Sequence, residues 1–127
     1  MIVYRIAPRF VRLVQTGVMT HLFDMPRQVV ARPGRDIRLE DAASHLLVAD
    51  GIVASVERME IIWTGRRITG IREGGMPLLR LEACANRLGY ADIDDMAEDF
   101  EALYGCKFLE GLLVEWRPAQ TAVVEVA

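Results

Sequence analysis

The sequence predicts a single α+β domain in which helices pack at the ends of a small, mostly antiparallel, barrel-like sheet. The 127 residues are 52% hydrophobic and carry a net charge of −3, a composition that collapses into one core. Hairpin signals rather than regular crossover helices join the predicted strands, which favours antiparallel pairing. No repeat or long linker divides the chain. We therefore expect one domain over residues 1–118, followed by a tail, 119–127, that forms an edge strand or a frayed end.

The first elements are a strand over residues 1–6 and a helix that begins at Pro8. Proline suits the first helical turn because its missing N–H would have no partner there. Three apolar residues, Phe10, Leu13 and Val14, follow at helical spacing and predict one buried stripe. Gly17 then stands where a left-handed C-terminal cap is expected.

The middle of the chain is read as strands joined by tight turns. A Pro-Gly pair predicts a turn at 32–35, between a possible strand at 28–31 and a strand at 36–39. Apolar runs at 45–49 and 52–56 flank Asp50-Gly51, the pattern of a two-residue hairpin. The second arm is expected to continue to Trp63 with a bulge near 57–60. Four glycines predict a mobile loop over 65–77.

The last third is predicted to contain two helices and a closing strand. Residues 78–88 permit a helix that ends at Gly89, and Asp92 can cap a second one that continues to Tyr104. Residues 112–117 alternate as a strand that Pro118 ends. Five carboxylates form the exposed side of the second helix: Asp94, Asp95, Glu98, Asp99 and Glu101.

The net charge conceals a division between the two parts of the chain. Residues 1–80 sum to +4 and residues 81–127 to −7, and Lys107 is the only lysine. The guanidinium fork of arginine suits bidentate contacts with phosphate or carboxylate. Two interpretations stay open: the arginines bind an anionic ligand, or they pair with the acidic helices.

Composition and motifs exclude several classes of function. No run reaches the ~18 apolar residues of a membrane-crossing helix, and we expect a cytoplasmic protein with no membrane partner. Cys84 and Cys106 are too few and too isolated for a metal cluster, and both are expected to be reduced. Phosphate-binding loops, zinc motifs and nucleophile elbows are absent, so neither a metal nor a cofactor is expected. His21 and His45 are the only imidazoles, and Glu73 lies in the glycine-rich segment.

The order of these segments resembles that of the ASCH domains, the activating-signal-cointegrator homology family, which has a PUA-like fold. The helix from Pro8 to Gly17, then Thr20, then the stretch from Arg32 to Leu39 resemble the first half of such a domain. Residues 81–90, the segment 100–105 and the strand 112–117 resemble its C-terminal region. The resemblance covers roughly residues 3–118, and it implies a cleft beside the first helix that binds RNA or a nucleotide.

The chain departs from this family at its central motif, Gly-x-Lys-x-x-Glu-x-Arg. Gly17 is kept, but Met19 replaces the lysine, Leu22 the glutamate and Asp24 the arginine. Some ASCH proteins are amidohydrolases that use a lysine and a threonine here with a downstream glutamate. Leu22 stands at the threonine position, and Asn86 or Arg87 falls near the glutamate position. A methionine can be neither a general base nor an oxyanion donor, so the family's catalytic set is missing.

Three hypotheses follow, of which binding of RNA or a nucleotide without catalysis is the first. Phe23 is the best candidate for stacking on a base. A second hypothesis is a hydrolase acting on a modified nucleoside or RNA through Thr20, His21 and Asp24. A third is a module whose acidic helix binds a basic protein partner. The residues expected to bind nucleic acid are Arg9, Arg12, Thr20, Arg27, Arg32, Arg35 and Arg38.

Overall fold

A computed structural model of the chain describes residues 1–25 and 30–119. Arg27, residues 28–29 of the possible strand at 28–31 and the tail from residue 120 onward lie outside these ranges, and residues 30–31 belong to no strand. A 3₁₀ turn over Pro8–Phe10 leads into the first helix. The other elements, in chain order, are β1 Ile2–Ile6, α1 Val11–Gln15, β2 His21–Asp24, β3 Asp36–Asp41, β4 Leu47–Thr64, β5 Arg67–Glu73, β6 Met76–Pro77, α2 Leu81–Arg87, α3 Ile93–Tyr104 and β7 Leu109–Pro118.

One long strand, β4, organises the sheet. β7 pairs along one of its edges, whereas β3 and then β5 pair along the other. β1 extends the sheet in parallel from β3, and β2 and β6 pair antiparallel with β7 and β5. The α+β class and the mostly antiparallel sheet are therefore confirmed. The sheet is not closed into a barrel, because β1 and β2 are not paired with each other.

The core forms where the curled sheet meets the helices. Leu39, Met59 and Ile61 are fully buried on the sheet, and Met96 is fully buried on α3. The period-two pattern of β1, in which residues 2, 4 and 6 are buried, places its other side chains in solvent. Among the described helices, none is long and apolar enough to cross a bilayer.

Local capping signals place the C-terminal end of α1 and both ends of α3 where the sequence predicts them, whereas α2 begins at Leu81 rather than at the predicted residue 78. Gly17 follows α1 with a φ of 76°, and Gly105 follows α3 with a φ of 83°. Both angles lie in the left-handed region, which glycine adopts without the Cβ clash of other residues. At the other end of α3, the Asp92 carboxylate accepts a hydrogen bond of 2.7 Å from the Asp95 N–H.

We expect Asp92→Ala to lower the free energy of unfolding by about 1 kcal/mol, because one N–H at the start of α3 loses its acceptor. Urea denaturation measures this difference. Asp94→Ala is the matched control, since Asp94 lies in the same turn with an exposed side chain. Equal losses for the two variants would contradict a capping role for Asp92.

The predicted hairpin at Asp50-Gly51 is wrong. Both residues lie inside β4, where Gly51 pairs with Ile37 on one side and Pro118 on the other. The chain reverses instead between β3 and β4, at residues 42–46. Gly51 serves close packing: a Cβ there would lie 2.9 Å from the Arg117 carbonyl oxygen. A glycine that permits contact between strands has the same local sequence signature as one that permits a turn.

The predicted mobile loop over 65–77 is also wrong, because most of it is β5 and β6. Gly65 and the pair Gly74-Gly75 occupy the two turns with positive φ, and the residues between them form a strand. Ile68 and Ile71 are buried, which fixes this strand on the core. The register of β4 shifts at 53–55 and at 62–63 rather than near 57–60.

Candidate functional site

The backbone of Thr20 is fixed from two sides by hydrogen bonds. The Thr20 N–H donates to the Arg87 carbonyl at the end of α2, at 3.2 Å, and the Thr20 carbonyl accepts from the Trp116 N–H of β7, also at 3.2 Å. His21 begins β2 directly after it and pairs with Glu115 across the strands. The folding of β2 between α2 and β7 therefore brings together residues that are far apart in sequence.

Four polar side chains form a connected group, which we call the His21 cluster: Thr20, His21, Ser55 and Glu115. The Thr20 hydroxyl lies 2.7 Å from His21 Nδ1, and His21 Nε2 lies 3.6 Å from Glu115 Oε2. Ser55 donates to the other oxygen of Glu115 at 3.3 Å. The His21 side chain is only 10% exposed, so its orientation is set by these neighbours. With the Nε2 proton directed at Glu115, Nδ1 is free to accept from the Thr20 hydroxyl.

The surroundings of His21 keep its ring neutral. Burial lowers the pKa of His21 below its ordinary value of 6.5, and the positive charge of Arg87 lowers it further. Three carboxylates oppose this shift: Glu115, Glu73 and Glu57. A neutral imidazole at pH 7 can accept a proton, which is the state a general base needs.

Arg87 and Glu73 form an ion pair beside this cluster. Glu73 belongs to the segment predicted as a loop, and it ends β5 instead. Cys84, one turn before Arg87, is buried, and this burial raises the pKa of its thiol to about 12. The Cys84 sulfur therefore stays protonated and is a poor nucleophile.

A second feature is a cavity of about 210 Å³ between β1, β2 and α3, which we call the aromatic cavity. Phe100 is one of the residues that line it, with its ring centroid 5.4 Å from that of Phe23, 5.4 Å from that of Tyr104 and 5.9 Å from that of Tyr90. Phe10 contacts Tyr90 edge to face at 5.3 Å. Two apolar side chains also line the cavity: Met19, between α1 and β2, and Leu22 of β2.

Two charged residues line the aromatic cavity. Arg5 has a side chain that is 58% exposed, with Nε 3.9 Å from a Glu40 oxygen. Asp99 accepts a 2.5 Å hydrogen bond from the Tyr90 hydroxyl. An ion pair as long and exposed as that of Arg5 contributes little to stability, so the guanidinium remains available to a ligand.

Two of the predicted nucleic-acid-binding arginines have acidic partners within the fold. Arg9 lies 2.6 Å from Asp95, and its guanidinium stacks over the rings of Phe10 and Tyr90. Arg38 lies 3.1 Å from Asp50 on the neighbouring strand. Arg9 therefore supports the interpretation in which arginines pair with the acidic helices.

The other predicted arginines are not held in this way. Arg12, Arg32 and Arg35 are exposed, and they form no ion pair within residues 1–25 and 30–119. Arg32 and Arg35 lie on the predicted turn, which hydrogen-bonds to Val53 of β4. The structure brings Thr20 and His21 together, whereas Asp24 is buried at the end of β2 and accepts from the Tyr4 hydroxyl at 2.8 Å.

The acidic side of α3 is partly used inside the molecule. Asp95 contacts Arg9, Asp99 contacts Tyr90, and Glu101 lies 3.5 Å from Arg66. Asp94 and Glu98 are exposed. Three of the five carboxylates predicted to face a protein partner therefore already have a partner in this chain.

The sequence did not indicate that Glu115, Arg87 and Arg5 lie at these candidate sites. Glu115 interrupts the apolar closing strand, and a carboxylate in such a strand is the one local signal that could have marked it. Arg87 and Arg5 carry no local signal, because only the packing of α2 and β1 brings them to these sites.

In the part of the chain that the structure describes, no group of three or more His, Cys, Asp or Glu side chains is arranged to hold a metal ion. Comparisons with protein-family models, with curated proteins and with solved structures found no match to this chain.

Proposed function

We propose that this protein binds RNA or a nucleotide, with one base in the aromatic cavity beside the first helix. The aromatic cavity is the observation that carries the proposal. Its walls include five aromatic rings, and every nucleobase has a π-face on which such rings stack. One of the lining rings is that of Phe23, the residue that the sequence analysis names as the best candidate for stacking on a base.

The size of the cavity favours a single ring system. At about 210 Å³ it is smaller than the roughly 300–1,000 Å³ of pockets that enclose whole drug-sized ligands. It is larger than an engineered apolar cavity of about 150 Å³, which holds benzene. A base therefore fits inside, and its sugar and phosphate remain at the surface.

Positive charge near the cavity suits those phosphates. Arg5 lines the cavity with most of its side chain in solvent, and Arg12 is exposed in the helix that follows Phe10. Phosphate contacts of this kind make affinity fall as salt rises, since each contact releases bound counterions. Arg9 contributes less, because Asp95 already neutralises it.

The resemblance to ASCH domains supports the same proposal. Their cleft beside the first helix remains a proposal for this chain, and the aromatic cavity is the space that would correspond to it. Met19 and Leu22, which replace the lysine and glutamate of the family motif, line the aromatic cavity. Apolar residues at these two positions favour holding a ring by stacking over catalysis at this place.

We expect Phe23→Ala to weaken binding of a short fluorescent RNA about tenfold. Loss of one stacking ring costs roughly 1–3 kcal/mol, and 1.4 kcal/mol corresponds to a factor of ten. Fluorescence anisotropy at low salt measures the change, with oligonucleotides that each repeat one base and with free nucleotides as competing ligands. Arg5→Ala is expected to weaken binding less and to flatten its salt dependence.

Phe108→Ala is the matched control, because Phe108 is 55% exposed and does not line the cavity. Its affinity is expected to equal that of the unaltered protein. Absence of binding at low ionic strength would overturn the proposal. Equal affinities of Phe23→Ala and Phe108→Ala would overturn the placement of the base.

A further inference from the structure

We infer that the His21 cluster is a hydrolytic centre for neutral or cationic carboxylic esters, with Thr20 as its nucleophile. This activity is independent of the proposed binding in the aromatic cavity. A nucleophilic hydroxyl, an imidazole base and a carboxylate that orients the base are the three parts of such a centre. Thr20, His21 and Glu115 hold these positions in a connected row.

The distances between Thr20, His21 and Glu115 are those expected of such a centre before a substrate is bound. The contact of 2.7 Å between the Thr20 hydroxyl and His21 Nδ1 is within hydrogen-bond reach, as proton transfer requires. The separation of 3.6 Å between His21 Nε2 and Glu115 is longer than a hydrogen bond. Such contacts are often loose before a substrate is bound and tighten when the imidazole gains charge. Ser55 holds the Glu115 carboxylate from its other side.

Four charged groups act on the imidazole, and their balance selects the substrate. Glu115 of β7, Glu73 of β5 and Glu57 of β4 contribute negative charge, and Arg87 of α2 contributes one positive charge that Glu73 already pairs. A phosphate or a free carboxylate would be repelled here. A neutral or cationic ester meets no such penalty.

The reaction consumes one water molecule and conserves protons. The Thr20 oxygen bonds to the ester carbon as its proton moves to His21 Nδ1, and the electron pair of the carbonyl bond moves to the ester oxygen, giving a tetrahedral oxyanion intermediate. Collapse of that intermediate breaks the bond to the alcohol, which leaves with the proton from Nδ1. Water then attacks the acyl-Thr20, giving its proton to Nδ1 and its hydroxyl to the acyl carbon. Release of the carboxylic acid returns the proton to Thr20.

Hydrolysis of p-nitrophenyl acetate by the full chain tests this inference. We expect release of p-nitrophenol and, on rapid quenching, a protein mass increased by one acetyl group that maps to Thr20. The rate should rise with pH through a midpoint below 6.5, because burial and Arg87 lower the pKa of His21. Thr20→Val keeps the shape of the side chain and removes the hydroxyl, so it should lose the adduct and reduce the rate roughly 100-fold.

Three further variants test whether the reaction depends on the Thr20 hydroxyl and on His21 rather than on other residues. Thr20→Ser keeps a hydroxyl and should keep the adduct. His45→Asn removes the other imidazole, which is exposed at a φ of 62° that asparagine tolerates, and should leave the rate unchanged. Phe108→Ala, at an exposed ring that belongs to neither the His21 cluster nor the aromatic cavity, should also leave the rate unchanged. An equal rate for Thr20→Val and the unaltered protein, or an acetyl group on another residue, would overturn the inference.

Discussion

Phe100→Ala is expected to lower the free energy of unfolding by about 3–5 kcal/mol, the largest effect we predict. Phe100 of α3 is 3% exposed, and its ring contacts three other aromatic rings: Phe23, Tyr90 and Tyr104. Its removal loses the buried area and also leaves a void that the remaining rings cannot fill. Small domains have a total stability of about 5–15 kcal/mol, so much of it would be lost.

Urea denaturation followed by Trp fluorescence measures this loss, and Phe108→Ala is again the control because it removes the same ring from an exposed position. The control is expected to stay within about 0.5 kcal/mol of the unaltered protein. Phe100→Leu, which keeps most of the volume, should fall between the two. A loss below about 1 kcal/mol for Phe100→Ala would mean that α3 is not fixed on the sheet as described.

Short-range signals predicted those elements whose ends depend on neighbouring residues alone. The proline that opens the first helical turn, the Asp92 cap and the glycines at 17 and 105 are of this kind, and all are confirmed. Each works through a hydrogen bond or a backbone angle within a few residues, so the local sequence contains the whole cause.

Secondary-structure predictions failed where contacts with distant parts of the fold decide the conformation of a glycine-containing segment. The segment 65–77 was expected to be mobile because of its glycines, but Ile68 and Ile71 fix it on the core and make it a strand. Burial of two isoleucines outweighs the roughly 0.5–1 kcal/mol that a strand glycine costs. The sequence does not show that the core lies beneath this strand.

Only the local part of the candidate site was predicted from the sequence, because the rest depends on contacts between distant elements. Thr20 and His21 are neighbours in sequence, and the structure keeps them together. Their partners Glu115 and Arg87 come from β7 and α2, and no periodicity or motif connects those residues with His21. Asp24, the third candidate of the hydrolase hypothesis, turns to Tyr4 instead. A chemical site assembled from several elements is therefore visible only once the register of β2 and β7 is known.

Gly51 offers the sharpest test of why the predicted hairpin is a continuous strand. We expect Gly51→Ala to destabilise the protein by about 1–3 kcal/mol, the usual cost of forcing extra atoms into a packed core. The added Cβ would lie 2.9 Å from the Arg117 carbonyl oxygen and 3.2 Å from the Trp116 ring. Because the closer contact is backbone, β4 and β7 must separate to relieve it.

Gly70→Ala is the matched control, since Gly70 also lies inside a strand and its nearest neighbour is the flexible end of Ile62, at 3.3 Å. Alanine removes the entropic penalty of a strand glycine, about 0.5–1 kcal/mol, so this variant should be close to neutral or more stable. A hairpin turn at Asp50-Gly51 would need a positive φ at Gly51, so Gly51→Ala would be destabilising there too, but the turn would leave the Gly51 Cα open to solvent and would tolerate asparagine. A loss for Gly51→Asn at least as large as that for Gly51→Ala, beside a neutral Gly70→Ala, therefore distinguishes close contact between strands from a turn, using unfolding measurements alone.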